Sequence, residues 1–195
     1  MKLSQLLIAL TATLAFSGAA HAALLTDTSG SVANVVTDYS TPAQLAFDLD
    51  LHDFSNTQLN FVLEDADLLG PLSLNVLVRN LTGLGLQRFT FSLEGIAFSA
   101  AGSVTPAFGT LQQVAFTSRA AAISFASPEY AEFQFGNPFA LNNKSDWLLD
   151  TSGLRAGDRF SVTATVPEPS TLGMLLSALG LLGVYSVRRG GKRLS

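Results

Sequence analysis

The sequence predicts an all-β protein: a single β-sandwich of the jelly-roll kind, with a signal helix before it and a transmembrane helix after it. Two observations predict the sandwich. Apolar and polar residues alternate with a period of two in many short segments, which is typical of half-buried β-strands. Turn residues separate these segments, and no long segment has the period of a helix. Two sheets packed face to face would bury the apolar side of every strand.

Eight or nine strands are expected from this alternation. After Gly95 the apolar phase shifts to Ile96 and Phe98, which predicts a β-bulge. Most phenylalanines lie at the apolar positions of the strands, so we expect them in the core rather than on a binding surface. In chain order, the predicted strands are residues 45–51, 59–63, 72–79, 88–94, 96–98, 114–116, 123–125, 133–135 and 160–166.

Residues 1–22 have the layout of a secretory signal peptide. Lys2 gives a positive start, an apolar run follows, and the small residues Ala20 and Ala22 form an A-x-A cleavage pattern. We therefore expect cleavage after Ala22 by the secretion machinery. The exported domain would then span residues 23–166, and its stability would rest on its core, since the chain has no cysteine.

Residues 167–195 form a second targeting segment, which follows the last predicted strand directly. A proline-containing motif comes first, and an uncharged, leucine-rich stretch at about residues 171–187 predicts a transmembrane helix. A basic tail follows, and by the positive-inside rule it stops transfer and leaves residues 23–166 outside. The motif residues are Val166, Pro167, Glu168, Pro169 and Ser170, and the tail residues are Arg188, Arg189, Lys192 and Arg193.

This three-part pattern, together with the signal peptide, resembles the PEP-CTERM sorting signal. The resemblance covers about residues 166–193. It implies that an exosortase-type membrane protease processes the chain near the motif, after transient anchoring in the inner membrane. It further implies a place at the cell surface or in the extracellular matrix, commonly that of a biofilm. It implies nothing about the chemistry of the exported domain, because unrelated domains carry such tails.

The charge distribution and composition exclude several classes of function. Every acidic residue except Glu168 lies within residues 23–166, so the exported domain is acidic and would repel nucleic acid. The absence of cysteine excludes a thiolate metal site and a cysteine nucleophile. His52 is the single histidine left after signal cleavage, and no nucleophile-elbow motif is present to accompany it. We therefore expect that the protein is not an enzyme and has no resident cofactor.

Two clusters of acidic residues leave a calcium site open as an alternative. Asp48 and Asp50 lie on one face of a predicted strand, with Asp53 close behind, and Glu64 follows the next strand. If those two strands form a hairpin, the carboxylates converge, and calcium prefers such hard oxygen ligands. The pair Asp48 and Glu64 also represents the less favoured alternative of a secreted glycan hydrolase. A solvated acidic face is the simpler interpretation.

A polysaccharide-binding module is the remaining alternative. The polar loop before Trp147 offers the amides of Asn142 and Asn143 beside a large ring, which suits sugar recognition. Tyr39 and Tyr130 are further aromatic candidates outside the core. An ordinary turn with a packed tryptophan explains the same residues. The hypothesis favoured by the whole sequence is a surface or matrix protein with a structural or adhesive role in exopolysaccharide.

Overall fold

The computed structural model describes residues 22–167, and these form thirteen β-strands and one short 3-10 helix, Asp65–Leu68. The predicted signal and transmembrane helices lie outside the described residues. Among residues 22–167, no helix has the length and apolar character needed to cross a membrane. The strands are β1 (Leu24–Gly30), β2 (Val35–Asp38), β3 (Gln44–Leu51), β4 (Thr57–Val62), β5 (Leu72–Asn80), β6 (Leu86–Glu94), β7 (Ala97–Ala100), β8 (Val104–Pro106), β9 (Thr110–Phe116), β10 (Ala120–Glu129), β11 (Glu132–Phe135), β12 (Trp147–Asp150) and β13 (Arg159–Thr165).

The strands form two sheets, and the predicted all-β class is confirmed. One sheet has six strands in the order β1-β4-β13-β6-β10-β9. The other has seven, with β2-β3-β5-β11-β8 as its main path, while β12 pairs with both β5 and β7. The pairing of β3 with β5 is parallel. This parallel pair and the strand numbers differ from the eight-stranded antiparallel jelly roll.

Phenylalanine rings from both sheets meet in a single core. Phe47 of β3 lies 6.3 Å from Phe61 of β4, centroid to centroid, and Phe135 of β11 lies 4.8 Å from Phe91 of β6. These four rings are almost fully buried. Because edge-to-face and tilted ring pairs add to the stability gained by burial, the core joins the two sheets into a sandwich.

The expected β-bulge after Gly95 is instead a change of sheet. β6 ends at Glu94 in the six-stranded sheet, and β7 begins at Ala97 in the other sheet. Gly95 has φ of +81°, and a Cβ atom there would lie 2.5 Å from the carbonyl oxygen of Arg159. The phase shift seen in the sequence therefore marks the point where the chain passes from one sheet to the other.

The two ends of the sandwich carry different loops, and several of the candidate residues lie on these loops. We call the end at which β13 finishes the exit end. Backbone hydrogen bonds join its loops: Ser31 N–H donates to the carbonyl of Asn56 at 2.9 Å, and Asn80 N–H donates to that of Ala131 at 2.6 Å. The loops of the exit end are residues 31–34, 52–56, 81–85, 107–109 and 130–131. The loops of the opposite, far end include residues 39–43, 63–71, 95–96 and 151–158.

Candidate functional site

The junction between the domain and its targeting segment lies at the end of a central strand. β13 pairs with β4 on one side and with β6 on the other. Val166 follows directly and is buried in the core, whereas Pro167 is exposed. Val166, the first residue of the predicted motif, is therefore part of the folded core, whereas Pro167, the second, is exposed to solvent. Glu168, Pro169, Ser170 and the basic tail lie outside the described residues.

The junction is held by backbone hydrogen bonds on both sides of β13. Unravelling β13 from its C-terminal end would break two ladders of backbone hydrogen bonds and expose the side chain of Val166. Proline at 167 lacks a backbone N–H and cannot extend the ladder, so regular pairing ends there.

The fold does not bring all four acidic residues proposed as calcium ligands to one site. Arg79 of β5 lies between two of them: its Nε contacts Asp50 Oδ1 at 2.6 Å, and its Nη2 contacts Asp48 Oδ2 at 3.2 Å. Burial raises the pKa of Asp48, Arg79 opposes this rise, and the neighbouring charge of Asp50 adds to it. The guanidinium thus supplies the positive charge that the sequence suggested calcium would supply.

The other two candidate ligands have separate roles. Asp53 lies in the exit-end loop, where Ser31 Oγ donates to both of its carboxylate oxygens at 3.0 Å. The Ser55 N–H is the main reason that the pKa of Asp53 is lowered. Glu64 lies at the far end, where its backbone N–H binds Asp67. Within the described residues, no group of three or more acidic or histidine side chains is arranged to hold a metal ion.

The hairpin considered between the two acidic strands does not form. β3 and β4 are consecutive, but they belong to different sheets. Asp48 points outward from the seven-stranded sheet, and Glu64 begins the loop after β4 in the six-stranded sheet. The fold therefore does not bring this pair of carboxylates to one cleft, as the hydrolase alternative requires.

Trp147 is a core residue, so the expectation of an exposed sugar platform at this position is wrong. Its side chain has no exposed surface, and its ring stacks on Phe135 with 4.4 Å between centroids. The indole Nε1–H donates to the carbonyl oxygen of Ser103 at 3.2 Å. Trp147 and Leu149 both face inward, so the period-two pattern of β12 was the signal for burial.

The remaining sugar candidates lie apart from one another. Asn142 and Asn143 are exposed, and Asn143 has φ of +62°, a conformation that asparagine tolerates in turns. Tyr39 and Tyr130 are exposed as expected, but Tyr39 lies at the far end and Tyr130 at the exit end. His52 is exposed on the exit-end loop, and its backbone N–H binds Asn34 Oδ1. A sugar contact at the asparagines stays a prediction.

Sequence reasoning missed Glu129, a fully buried carboxylate at the exit end. Its Oε2 accepts hydrogen bonds from the N–H groups of Phe108 at 2.9 Å and Gly109 at 2.8 Å, and its Oε1 accepts one from Ala131 at 2.9 Å. Burial tends to raise the pKa of Glu129, but these backbone donors outweigh it and the pKa is lowered. Nothing in the local sequence separates this glutamate from an exposed one.

The outer face of the six-stranded sheet carries rows of polar side chains. One row crosses four paired strands through Ser29, Gln58, Thr163 and Ser92. A neighbouring row includes Asn60 and Ser161 and ends in charged residues, Asp27 and Glu94. An open depression of about 480 Å³ lies on this face and is lined in part by Thr26, Gln58 and Asn60.

Comparison with known proteins identifies the targeting segment. The family model for the PEP-CTERM protein-sorting motif matches residues 165–189, which begin at the last residue of β13. No curated protein and no solved structure shows significant similarity to the chain. The expected sorting signal is thus confirmed, and such a motif indicates sorting by an exosortase to the cell surface. The chain therefore carries a PEP-CTERM protein-sorting motif, and this motif begins at the last residue of a central strand of a two-sheet domain.

Proposed function

We propose that this protein is a structural or adhesive component of an exopolysaccharide matrix at the cell surface, and not an enzyme. The chain is anchored transiently in the inner membrane by its apolar C-terminal segment, and an exosortase then processes it near the PEP motif. The domain formed by residues 23–166 is the part delivered. The proposal joins the matched sorting motif with the surface chemistry of that domain.

The observation that carries the matrix role is the polar outer face of the six-stranded sheet. Hydroxyl and amide groups in the row Ser29, Gln58, Thr163 and Ser92 offer both donors and acceptors. A sugar polymer presents the same kinds of groups along an extended chain. Contacts between two such surfaces form through direct and water-mediated hydrogen bonds, which are individually weak and additive along a polymer.

The alternative of a calcium-dependent module has less support. Arg79 already pairs with Asp48 and Asp50, so calcium would have to displace a guanidinium that donates to both. Polysaccharide binding without calcium is the form of the binding-module alternative that the outer face supports.

Co-sedimentation with the producer's own exopolysaccharide tests the proposal. The full chain and a Thr163→Glu variant are compared, because a carboxylate in the middle of the polar row would disturb the hydrogen bonding of Gln58 and Ser92. Ser99→Glu is the matched control, since Ser99 is exposed on β7 of the other sheet. Each mixture is also measured with a calcium chelator.

We expect saturable binding by the full chain and by Ser99→Glu, about a tenfold weaker binding by Thr163→Glu, and no effect of the chelator. Equal binding by the two variants would remove the polar face from the account. Loss of binding with the chelator would instead support the calcium alternative, and no binding in any condition would contradict a direct matrix contact.

A further inference from the structure

Several large apolar side chains are exposed at the exit end of the sandwich. Val32 and Phe108 are the most exposed residues of this group, at 103% and 81%, while Leu69, at 88%, lies at the far end. Leu81, Leu84 and Tyr130 are also more than half exposed. These five residues, which we call the apolar tips, come from four different loops of the same end. An exposed apolar surface of this kind on one end of a domain commonly marks a contact with a partner or a membrane.

The charges of the domain lie mostly elsewhere. The four loops that carry the apolar tips contain no charged residue. Glu129, at the end of β10 beside two of these loops, is buried. Asp53 at the same end is held by Ser31. At the far end, by contrast, several charged residues are exposed: Asp65, Glu94, Arg155, Asp158 and Arg159. The exposed charges of the domain therefore lie mostly toward the far end.

Buried polar groups hold the apolar tips in place. Glu129 fixes the loop of Phe108 and the turn of Tyr130 through three backbone N–H groups. The Nδ2 of the buried Asn80 donates to the carbonyl oxygen of Leu84 at 2.7 Å and to that of Glu129 at 3.0 Å. The tips are thus presented on fixed loops, as a preformed docking surface requires.

The position of the sorting motif indicates what covers this surface. The chain leaves the described structure at Pro167, at the exit end, and the apolar C-terminal segment begins at about residue 171. Four residues span at most about 14 Å when fully extended. While that segment is in the bilayer, the exit end is therefore held close to the lipid headgroups, and Arg88 of β6 lies exposed near the same end.

We propose that the exit end docks on the bilayer surface, with Val32, Leu81, Leu84, Phe108 and Tyr130 inserted at the level of the lipid headgroups. This inference rests on the transient membrane anchoring in the proposed function. Phenylalanine, tyrosine and aliphatic side chains are favourable at that interface, and the exposed charges of the far end stay in water. Docking orients β13 along the membrane normal and presents the PEP motif to a membrane protease at a fixed depth.

Site-specific fluorescence tests this docking in the full chain. The chain has no cysteine, so a single introduced cysteine takes one polarity-sensitive dye. Ala33→Cys places the dye beside Val32 and keeps all five apolar tips, and Ser118→Cys, in the turn between β9 and β10, is the control on the other side of the molecule. Each labelled chain is mixed with phosphatidylethanolamine–phosphatidylglycerol vesicles that carry a lipid-attached quencher, and flotation measures vesicle binding.

We expect the chain to float, the dye at position 33 to shift to the blue and be quenched, and the dye at position 118 to remain unchanged. Adding Leu84→Ser and Phe108→Ser to Ala33→Cys should at least halve the quenching while flotation persists. Flotation with equal, small signals at both positions would overturn the docking and leave the anchoring intact. A blue shift without vesicles would assign the surface to the chain's own apolar segment, and failure to float would contradict both proposals.

Discussion

Glu129 shows how one buried charge can determine the shape of a loop surface. A carboxylate without exposed surface would be strongly destabilising if it had no partners. Three backbone N–H groups, from Phe108, Gly109 and Ala131, donate to it and keep its pKa low. The same contacts bind two loops together, so the folded exit end depends on the charge of this residue.

Glu129→Gln should lower the free energy of unfolding by about 2 kcal/mol at neutral pH, because the amide nitrogen cannot accept the hydrogen bonds that a carboxylate oxygen accepts. Urea unfolding checks this, and the single tryptophan, Trp147, provides the fluorescence signal. Glu94→Gln is the matched control on an exposed glutamate and should change little. An equal effect of both changes would contradict the role of Glu129.

The same residue should make the domain sensitive to acid. Because the folded-state pKa of Glu129 is below that of an unfolded glutamate, its contribution is fully present above the unfolded value and is lost as pH falls through the folded value. Between about pH 5 and pH 3, the unaltered chain should therefore lose more stability than Glu129→Gln does. Parallel stability curves for the two chains over this range would show that the carboxylate contributes nothing.

At the scale of single residues, the sequence predicted which side chains are buried better than it predicted which side chains contact one another. The alternating phenylalanines were correctly assigned to the core, because burial follows from local period alone. Trp147 was misjudged, since a polar loop precedes it and its partner Ser103 is distant in the chain. Asp48 and Asp50 were recognised as one face, but Arg79 could not be assigned to them without knowing that β3 and β5 pair.

At the scale of elements, the ion pair adds a contact to the parallel pairing of β3 and β5. Asp50 lies directly opposite Arg79, and Asp48 is one pleat further along the strand. Two carboxylates on one strand face repel each other, and the guanidinium between them offsets part of this repulsion. Since these side chains are partly exposed, the gain in stability is modest.

Arg79→Met should therefore cost about 1 kcal/mol in the free energy of unfolding. It should also free Asp48 and Asp50, so that added calcium stabilises the variant while leaving the unaltered chain unchanged. Thermal unfolding with calcium and with a chelator measures both effects. A variant that adds Asp48→Asn and Asp50→Asn serves as the control, because it removes the proposed ligands. Calcium stabilisation of the unaltered chain would contradict the assignment of Arg79.

Whole strands could be predicted where one face is buried and the other is not. β3, β4, β6 and β13 alternate clearly and were found at nearly the observed bounds. β1 was missed because almost all of its residues are exposed, so its sequence lacks the alternation. The order of strands and the change of sheet at Gly95 depend on contacts between distant residues, which no local pattern encodes.

At the scale of the whole molecule, the sorting motif begins inside the folded domain. The matched motif starts at Thr165, while that residue is still paired with β6, and Val166 is part of the core. The folded domain and the sorting motif therefore overlap at Thr165 and Val166, and the exposed Pro167 follows them. We expect that cleavage beyond Pro167 would leave this domain folded.

The most direct test of the account is the mass of the surface-exposed protein in a host that carries an exosortase. The full chain, a Pro167→Ala/Glu168→Ala variant and a Ser152→Ala control are expressed in that host and in a matched strain that lacks the enzyme. The account predicts that the full chain and Ser152→Ala lose the C-terminal segment only when the exosortase is present, and that the motif variant keeps it in both strains. Normal trimming of the motif variant, or trimming without the exosortase, would contradict it.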